Sequence, residues 1–394
     1  MRSICLGNKK RISFAVMIAV VLLLNLLAWS STAFCDWYIR WIFPIWVNTY
    51  GRLTGLFPFS VGEWLIVAGV VLVGAALILG GVFAVSALVS ACIRRKLPKP
   101  FLRLVKGFYG FLAWVVGIVC LIMTLNCTIL YHASTFSTVY FGEDSEAYSE
   151  EDLFRVYNMV AEECNRLSML VERDERGRIV YDCNPGEEAK NMMKKLGETY
   201  PQLDGWYPDP KPMFFSDFMC QQYMKGYYFP FSMEANINFV MHPLNRPATM
   251  CHELAHLRGY IYEDEANFIA YLACIQSEDL YVRYSGYLSV LVYLNNDVVK
   301  VWNQNPELYE RTAAKIEPCE ILPQVWQDKV FVTEEEWDRI NGKAIIDTEI
   351  VDKAAETFVE TNLKLNGVSD GKISYSRVVK LLLQYYCGEG TGLE

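Results

Sequence analysis

Acidic side chains are almost missing from the first third of this 394-residue chain. Residues 1–131 contain only Asp36 and Glu63, against 12 lysines and arginines. Because the whole chain carries a formal charge of −9, the remainder is strongly acidic. That remainder lacks the clustered lysines and arginines that bind phosphate groups, which excludes nucleic acid as a partner. The sequence therefore predicts two regions, residues 1–131 and residues 132–394, of different chemistry.

Three long segments lack charged residues of either sign, and each is long enough to span a bilayer. They cover about 12–34, 64–92 and 107–131, and a spanning helix needs about 20 apolar residues. A cleaved signal peptide is the alternative for the first segment, but its apolar run exceeds the roughly 7–15 residues of a signal core. Charges inside the spans, which mark the ion path of a transporter, are also missing. We predict an α-helical membrane region of three transmembrane helices in the lipid bilayer.

Basic residues in the short connections predict the orientation. The N-terminal tail has four lysines and arginines and residues 93–106 have six, whereas residues 35–60 have only Arg40 and Arg52. Cytoplasmic connections are enriched in lysine and arginine. We therefore expect a multi-pass protein of the plasma membrane with a cytoplasmic N-terminus and an extracytoplasmic C-terminal domain. The aromatic-rich connection 35–60 suits a segment that lies at the membrane interface.

Paired cysteine motifs are absent as well. The 12 cysteines include no CxxC pair and no zinc-finger spacing, and an odd number of them, seven, falls in residues 132–394. This arrangement favours scattered buried thiols over a disulfide framework.

Residues 132–394 show helical periodicity over most of their length and few strand signals. The acidic start after Ser149 predicts a helix N-cap. The stretch from Glu234 to Val240 alternates polar and apolar residues, which predicts a strand with one face in solvent. We therefore expect a mainly helical α+β domain. Helices are predicted over 149–173, 186–200, 247–258, 263–277, 280–295, 306–316, 348–366 and 375–386.

The motif that carries chemistry is His252-Glu253-Leu254-Ala255-His256, which holds two of the four histidines in the chain. Residues four apart lie on one face of a helix, with about 5–6 Å between their Cβ atoms, so both imidazoles can reach one metal ion. Glu253 lies beside them, near enough to act as a base on a water molecule. Pro247 and Gly259 suit the start and the end of this helix. The motif predicts a catalytic zinc ion, Zn²⁺, bound by His252 and His256.

A catalytic zinc site needs a third protein ligand, and two nearby glutamates can supply it. The final histidine of the longer motif HExxHxxGxxH is replaced here by tyrosine. A helix that starts near Glu263 would carry small residues on the same face and could approach the histidine helix closely. Asn267, one turn further along, would then hold His252 by a hydrogen bond. Glu265 is the alternative ligand, and acids that only complement a helix N-terminus are a third interpretation.

Two families share these motifs. His252-Glu253-x-x-His256 followed by Glu263-x-x-Ala266-Asn267 resembles the gluzincin peptidases, in which a helix bearing ExxxD or ExxAD follows the HExxH helix. The resemblance implies a zincin-like domain with Glu263 as the third ligand, and asparagine stands where that family has aspartate. Over nearly its full length the chain also resembles an uncharacterised bacterial family, a domain-of-unknown-function group of predicted membrane proteins. The segments that carry this second resemblance are Pro58 to Gly62, Glu234 to Asn238, Cys251 to His256 and the helix from Ser374.

The expected activity is zinc-dependent hydrolysis of peptide bonds in a protein or peptide substrate at the outer face of the membrane. Glu253 would take a proton from water and return it to the leaving amine. A further donor must stabilise the oxyanion, and Tyr375, Tyr287 and His242 are the candidates. The strand from Glu234 to Val240 could pair with an extended substrate along an exposed edge. The alternative function is a catalytically inactive, zinc-binding membrane sensor or assembly protein.

Overall fold

The structure is a computed structural model that describes residues 2–142, 148–366 and 374–388. At 2–8 and 374–376 it describes the backbone alone. The described chain is mostly helical and contains one small sheet.

The N-terminal region is built from three long helices and a connection of short ones. The helices are α1 (Arg2–Ser30), α2 (Thr32–Trp41), α3 (Phe43–Trp46), α4 (Arg52–Gly55), α5 (Val61–Cys92), α6 (Lys99–Met123) and α7 (Ile129–Tyr131). A π-helical turn, Thr124–Thr128, joins α6 to α7. The predicted first span extends too far, because the hydroxyl of Ser31 accepts the N–H of Phe34 and caps a new helix.

Three helices are long and apolar enough to cross a membrane. We call them span 1 (Lys9–Ser30), span 2 (Val61–Cys92) and span 3 (Lys99–Tyr131). Polar contacts join them: the Asn25 amide donates to Thr124 Oγ1 between spans 1 and 3 at 2.8 Å. The Tyr109 hydroxyl donates to the carbonyl of Ala76 between spans 3 and 2, also at 2.8 Å. The connection 35–60 is amphipathic, with Tyr38 buried and Trp37 and Trp41 exposed.

The remaining helices form the C-terminal domain. They are α8 (Phe136–Tyr140), α9 (Glu150–Leu170), α10 (Pro185–Thr199), α11 (Ser216–Gln221), α12 (Arg246–His256), α13 (Glu263–Ile275), α14 (Leu280–Gln304), α15 (Pro306–Ala313), α16 (Pro323–Asp328), α17 (Glu334–Lys343), α18 (Thr348–Leu365) and α19 (Ser374–Cys387). All eight predicted helices are present, and Ser149 caps α9 as predicted. The core lies around α13, which packs against α12, α14, α10 and α19.

The sheet has the order β1 (Lys211–Pro212), β3 (Glu234–Ile237), β2 (Gly226–Phe229). β3 pairs with β1 in parallel and with β2 antiparallel. The prediction of a strand with one face in solvent over 234–240 is therefore wrong, because all four residues of β3 are buried. β3 is also the central strand, so it offers no exposed edge to a substrate. Its polar residues face protein partners rather than solvent, and β2 forms the edge beside α12.

Buried charged groups connect the C-terminal domain to the N-terminal region. We call Lys211, Glu234 and Glu63 the junction cluster. Lys211 Nζ lies 2.6 Å from Glu234 Oε1 and also donates to the carbonyls of Thr54 and Phe59. The Glu234 carboxylate accepts backbone N–H groups at the start of span 2. Glu63 in turn accepts the backbone N–H groups of residues 214 and 215. These contacts fix the N-terminal end of span 2 against the sheet.

Candidate metal centre

The histidine helix has the ends that its sequence predicts. Pro247 lies in the first turn of α12, and Gly259 follows the helix with a φ of +93°. A side chain at that glycine would be strained and would press on Ile39 of α2. The tight turn after Gly259 brings the chain back to start α13 at Glu263. The ends of α12 and α13 therefore meet.

Three ligand atoms converge where these helices meet. His252 Nε2 lies 3.1 Å from His256 Nε2 and 3.0 Å from Glu263 Oε2. His256 Nε2 lies 3.7 Å from Glu263 Oε1. The imidazoles are nearly enclosed, with 12% and 5% of their side-chain surface exposed, whereas 57% of Glu263 is exposed. The group is closed on the side of the histidines and open on the side of the glutamate.

The outer nitrogens of both rings have partners that determine the tautomers. His256 Nδ1 lies 2.7 Å from the carbonyl oxygen of Tyr260, which can only accept a hydrogen bond. His252 Nδ1 lies 2.9 Å from Oδ1 of Asn267, which the sequence predicts as its partner. Each neutral ring must therefore carry its proton on Nδ1. Both Nε2 atoms then present lone pairs to each other and to a carboxylate, an arrangement that a cation would stabilise.

In the absence of a metal, a single proton takes the place of that cation. Desolvation opposes the charge on His252, but its hydrogen bond with Glu263 raises its pKa to about 8. Desolvation and the charge of His252 lower the pKa of His256 to about 4. Desolvation also opposes the charge on Glu263, yet the hydrogen bond from His252 lowers the pKa of that carboxyl to about 2. The proton therefore resides on His252, which donates it in a hydrogen bond to the ionised Glu263 carboxylate.

Glu253 is a buried carboxyl group whose charged form is unfavourable in this site. Its side chain is buried, and within the described residues its Oε2 atom has no hydrogen-bond partner. Burial raises its pKa to about 8, and the backbone N–H of Tyr228 in β2 is directed at the carboxylate. The strand packs closely here, since a Cβ at Gly226 would lie 2.8 Å from Glu253 Cγ and from Thr249 Cγ2. A carboxyl of this kind can hold or release a proton near neutral pH.

Glu265 does not join the group. Its side chain is buried on another face of α13, where it accepts the backbone N–H of Ser137 at 3.2 Å. Glu265 follows Glu263 by two positions, so the two side chains are related by a rotation of about 200° around the helix axis. The expectation that Glu265 could be a metal ligand is therefore corrected: its carboxylate binds the start of α8.

Two of the three oxyanion candidates, Tyr287 and His242, make their described contacts elsewhere. The ring of Tyr287 packs against Tyr271. His242 lies near Asp328, Arg173 and Arg246 instead of the histidine pair. The backbone of Tyr375 belongs to α19, and its side chain lies outside the described residues.

Tyr227 in β2 is the aromatic residue that sequence reasoning missed. It lies close enough to Glu253 for the two charges to interact, and burial raises its pKa to about 12. The strand Gly226–Phe229 has no polar alternation that would reveal it as the edge beside α12. Gly226, a residue type common at turns and at close backbone approaches, was the hint in the sequence that a strand begins there.

The three converging ligand atoms and the adjacent carboxyl can bind a divalent metal and move a proton beside it. A scan of protein-family models matches residues 38–383 to a family described as a protein of unknown function, DUF3810. The chain belongs to this family. No curated protein and no solved structure matches it. The membership is in accord with the resemblance to an uncharacterised family, and it assigns no activity.

Proposed function

We propose that this protein is a membrane-anchored, zinc-dependent metallopeptidase with a gluzincin-like domain at the outer face of the plasma membrane. The observation that supports this most strongly is the convergence of three lone-pair donors, two of them on rings whose tautomers are fixed. Ligands about 2.0–2.1 Å from a tetrahedral zinc ion are about 3.3 Å apart. The separations of 3.1, 3.0 and 3.7 Å among His252, His256 and Glu263 bracket that value.

The donor set also favours zinc over magnesium and calcium. Two imidazoles and one carboxylate are the protein ligands of catalytic zinc sites, which keep a further position open. The exposed side of Glu263 leaves room for that position. Magnesium and calcium prefer oxygen ligands alone. The residues present therefore fit a catalytic zinc ion better than a structural one.

The roles of the protein groups follow from their positions. Bound zinc would polarise a carbonyl and lower the pKa of a water molecule towards about 7. Glu253 would accept the proton of the attacking water and deliver it to the leaving amine, because its carboxyl adjoins the two histidines and its Oε2 atom has no partner among the described residues. Asn267 would hold His252 in the tautomer that leaves Nε2 bare. Tyr227 is a candidate for an oxyanion donor, because its hydroxyl is close enough to Glu253 for their charges to interact.

One observation favours the second candidate, a zinc-binding sensor or assembly protein without catalysis. Glu253 is buried under β2, and the tight packing at Gly226 leaves little room for a substrate between the strand and α12. A protein without catalysis needs no access of substrate to Glu253.

The two candidates differ in their dependence on Glu253. Purified protein in lipid nanodiscs is incubated with a library of unstructured peptides, and cleavage is read by mass spectrometry. The proposal predicts cleavage by the wild type that a chelator abolishes, zinc restores and Glu253→Gln lacks. If wild type and Glu253→Gln bind zinc equally and neither cleaves any peptide, the metallopeptidase proposal is wrong and the non-catalytic candidate stands.

A further inference from the structure

Two tyrosine side chains connect the metal centre to span 3. The hydroxyl of Tyr228 is 3.3 Å from the carbonyl oxygen of Asn126, and its ring centroid is 5.8 Å from that of His256. The hydroxyl of Tyr262, the residue before Glu263, donates to the carbonyl of Tyr131 at 2.7 Å. The centre is therefore held at the level of residues 126–131, the outer end of span 3.

This level corresponds to the surface of a bilayer. Lys106 is the last basic residue of the connection expected in the cytoplasm. The helix from Lys106 to Asn126 rises roughly 30 Å at about 1.5 Å per residue, which equals the thickness of the hydrocarbon core. Asn126 then lies at the outer boundary of the hydrocarbon, and Tyr131 lies in the headgroup layer. The metal centre is at the same height.

The exposed ligand of the centre also adjoins this boundary. Glu263 is the exposed member of the group, and its neighbour Tyr262 packs edge-to-face on Tyr131, with ring centroids 5.5 Å apart. Of the three ligands, the two histidines are enclosed between helices of the domain. A substrate must therefore approach past the end of span 3.

A second surface of the domain lies at the outer end of the spans. Glu63, in the first turn of span 2, holds the backbone of Phe214 and Phe215. The Phe214 side chain is 79% exposed, and Phe218, one turn further in α11, is also exposed. Exposed apolar residues of the preceding connection adjoin the same end of span 2, namely Leu56, Phe57 and Phe59. Aromatic residues at this height are typical of the membrane interface.

From these contacts we propose that the metal centre works at the surface of the outer leaflet, on the extracytoplasmic juxtamembrane segment of membrane-anchored polypeptides. This substrate class rests on the proposed peptidase function. A soluble chain would have to enter the headgroup layer to reach Glu263. A chain that leaves the bilayer beside span 3 is delivered there within a few residues, because extended backbone covers about 3.3 Å per residue.

The first measurement tests the depth of the domain and does not depend on activity. A photoreactive benzoylphenylalanine replaces Phe214 or Phe218 in the full-length protein in nanodiscs. Trp302 of α14 is the matched control, since it is an exposed aromatic that stacks on Tyr309 of α15. Irradiation is expected to cross-link positions 214 and 218 to phospholipid, and position 302 to none. Equal lipid cross-linking at all three positions, or none at 214 and 218, would overturn the placement at the bilayer.

The second measurement identifies the substrate class. New protein N-termini are mapped in native membranes that contain the wild type or Glu253→Gln. Termini that depend on Glu253 are expected within about ten residues of a membrane span, given the reach of extended backbone. Termini in soluble proteins, or far from any span, would overturn the substrate class and leave the peptidase in place. If no new terminus depends on Glu253, both the substrate class and the peptidase function are wrong. The lipid cross-links would still measure whether the domain lies at the bilayer surface.

Discussion

Two clusters of polar side chains in this protein differ in whether their buried atoms have hydrogen-bond partners. In the junction cluster, Lys211 and Glu234 are buried and form an ion pair, and backbone groups of the connection and span 2 satisfy the remaining atoms. In the candidate metal centre, the side-chain atoms of His252, His256 and Glu263 converge, and without a cation a single proton on His252 is all that separates them. Glu253 beside them has a buried oxygen without a described partner.

The difference shows which group is structural and which is prepared to bind something. A buried charge with all its partners in place joins parts of the fold, and its removal leaves the other charge uncompensated. A buried group with unmatched lone pairs lowers stability until a ligand arrives, which is typical of functional sites. Four predictions sharpen this contrast.

The largest expected effect is at the junction cluster. Lys211→Met leaves the buried Glu234 carboxylate without its cation and is expected to lower the free energy of unfolding by about 3–5 kcal/mol. The control is Lys315→Met, which removes a solvent-exposed pair with Glu151 and should leave stability unchanged within error. Chemical unfolding in detergent micelles measures both. Equal stability of the two variants would show that the junction is not held by this pair.

Replacing glutamate by glutamine should raise the free energy of unfolding in the metal centre and lower it in the junction cluster. In metal-free protein at pH 7, Glu253→Gln is expected to raise the free energy of unfolding by up to about 3 kcal/mol, whereas Glu234→Gln lowers it. The pKa of Glu253 is raised from 4.5 to about 8 in the fold. The stability that its neutral form contributes is complete below pH 4.5 and is lost as the pH rises towards 8. The gain from Glu253→Gln must therefore grow over that range, and a constant difference from pH 4 to pH 8 contradicts the burial argument.

A smaller effect is expected at the hydrogen bond that orients His252. Asn267→Ala removes the acceptor for the Nδ1 proton and should weaken zinc affinity by about 10–100-fold. Asn267→Asp keeps an acceptor oxygen in the same place and should retain or exceed wild-type affinity. Competition with a fluorescent chelator measures all three proteins. Similar affinities of the alanine variant and the wild type would mean that the ring is held by packing alone.

The smallest predicted effect, about tenfold between pH 8 and pH 7, is the pH dependence of metal binding. With a pKa of about 8, His252 is protonated in the metal-free site at pH 7 and must lose that proton to bind zinc. The apparent affinity is therefore expected to fall about tenfold for each pH unit below 8 and to level off above it. Titration calorimetry in buffers of different ionisation enthalpy counts the released proton. Binding without proton release at pH 7 would mean that His252 is already neutral.

The parts of the fold that local periodicity determines were predictable from the sequence. The position of His252 and His256 on one helix face follows from their spacing, and the caps of α9 and α12 follow from Ser149, Pro247 and Gly259. The choice between Glu263 and Glu265 was not predictable, because it depends on how α13 is rotated against α12. That rotation is set by the packing of α13 among four other helices.

The wrong prediction for β3 has a physical cause. Alternation of Glu234, Asn236 and Asn238 with apolar residues normally indicates a strand with one face in water. Here the polar face meets partners from distant parts of the chain. Glu234 contacts Lys211 and span 2, and the Asn236 amide donates to the carbonyl of Tyr227. Alternation alone does not distinguish water from a buried polar partner.

The most direct test of the metal centre is the zinc content of the purified protein, measured by inductively coupled plasma mass spectrometry. Wild type and Glu265→Ala are expected to hold about one zinc ion per chain, whereas His256→Ala and Glu263→Ala lose it. Circular dichroism confirms that the variants remain folded. A folded wild-type protein without bound metal, or one that keeps its zinc in Glu263→Ala and loses it in Glu265→Ala, would contradict the site described here.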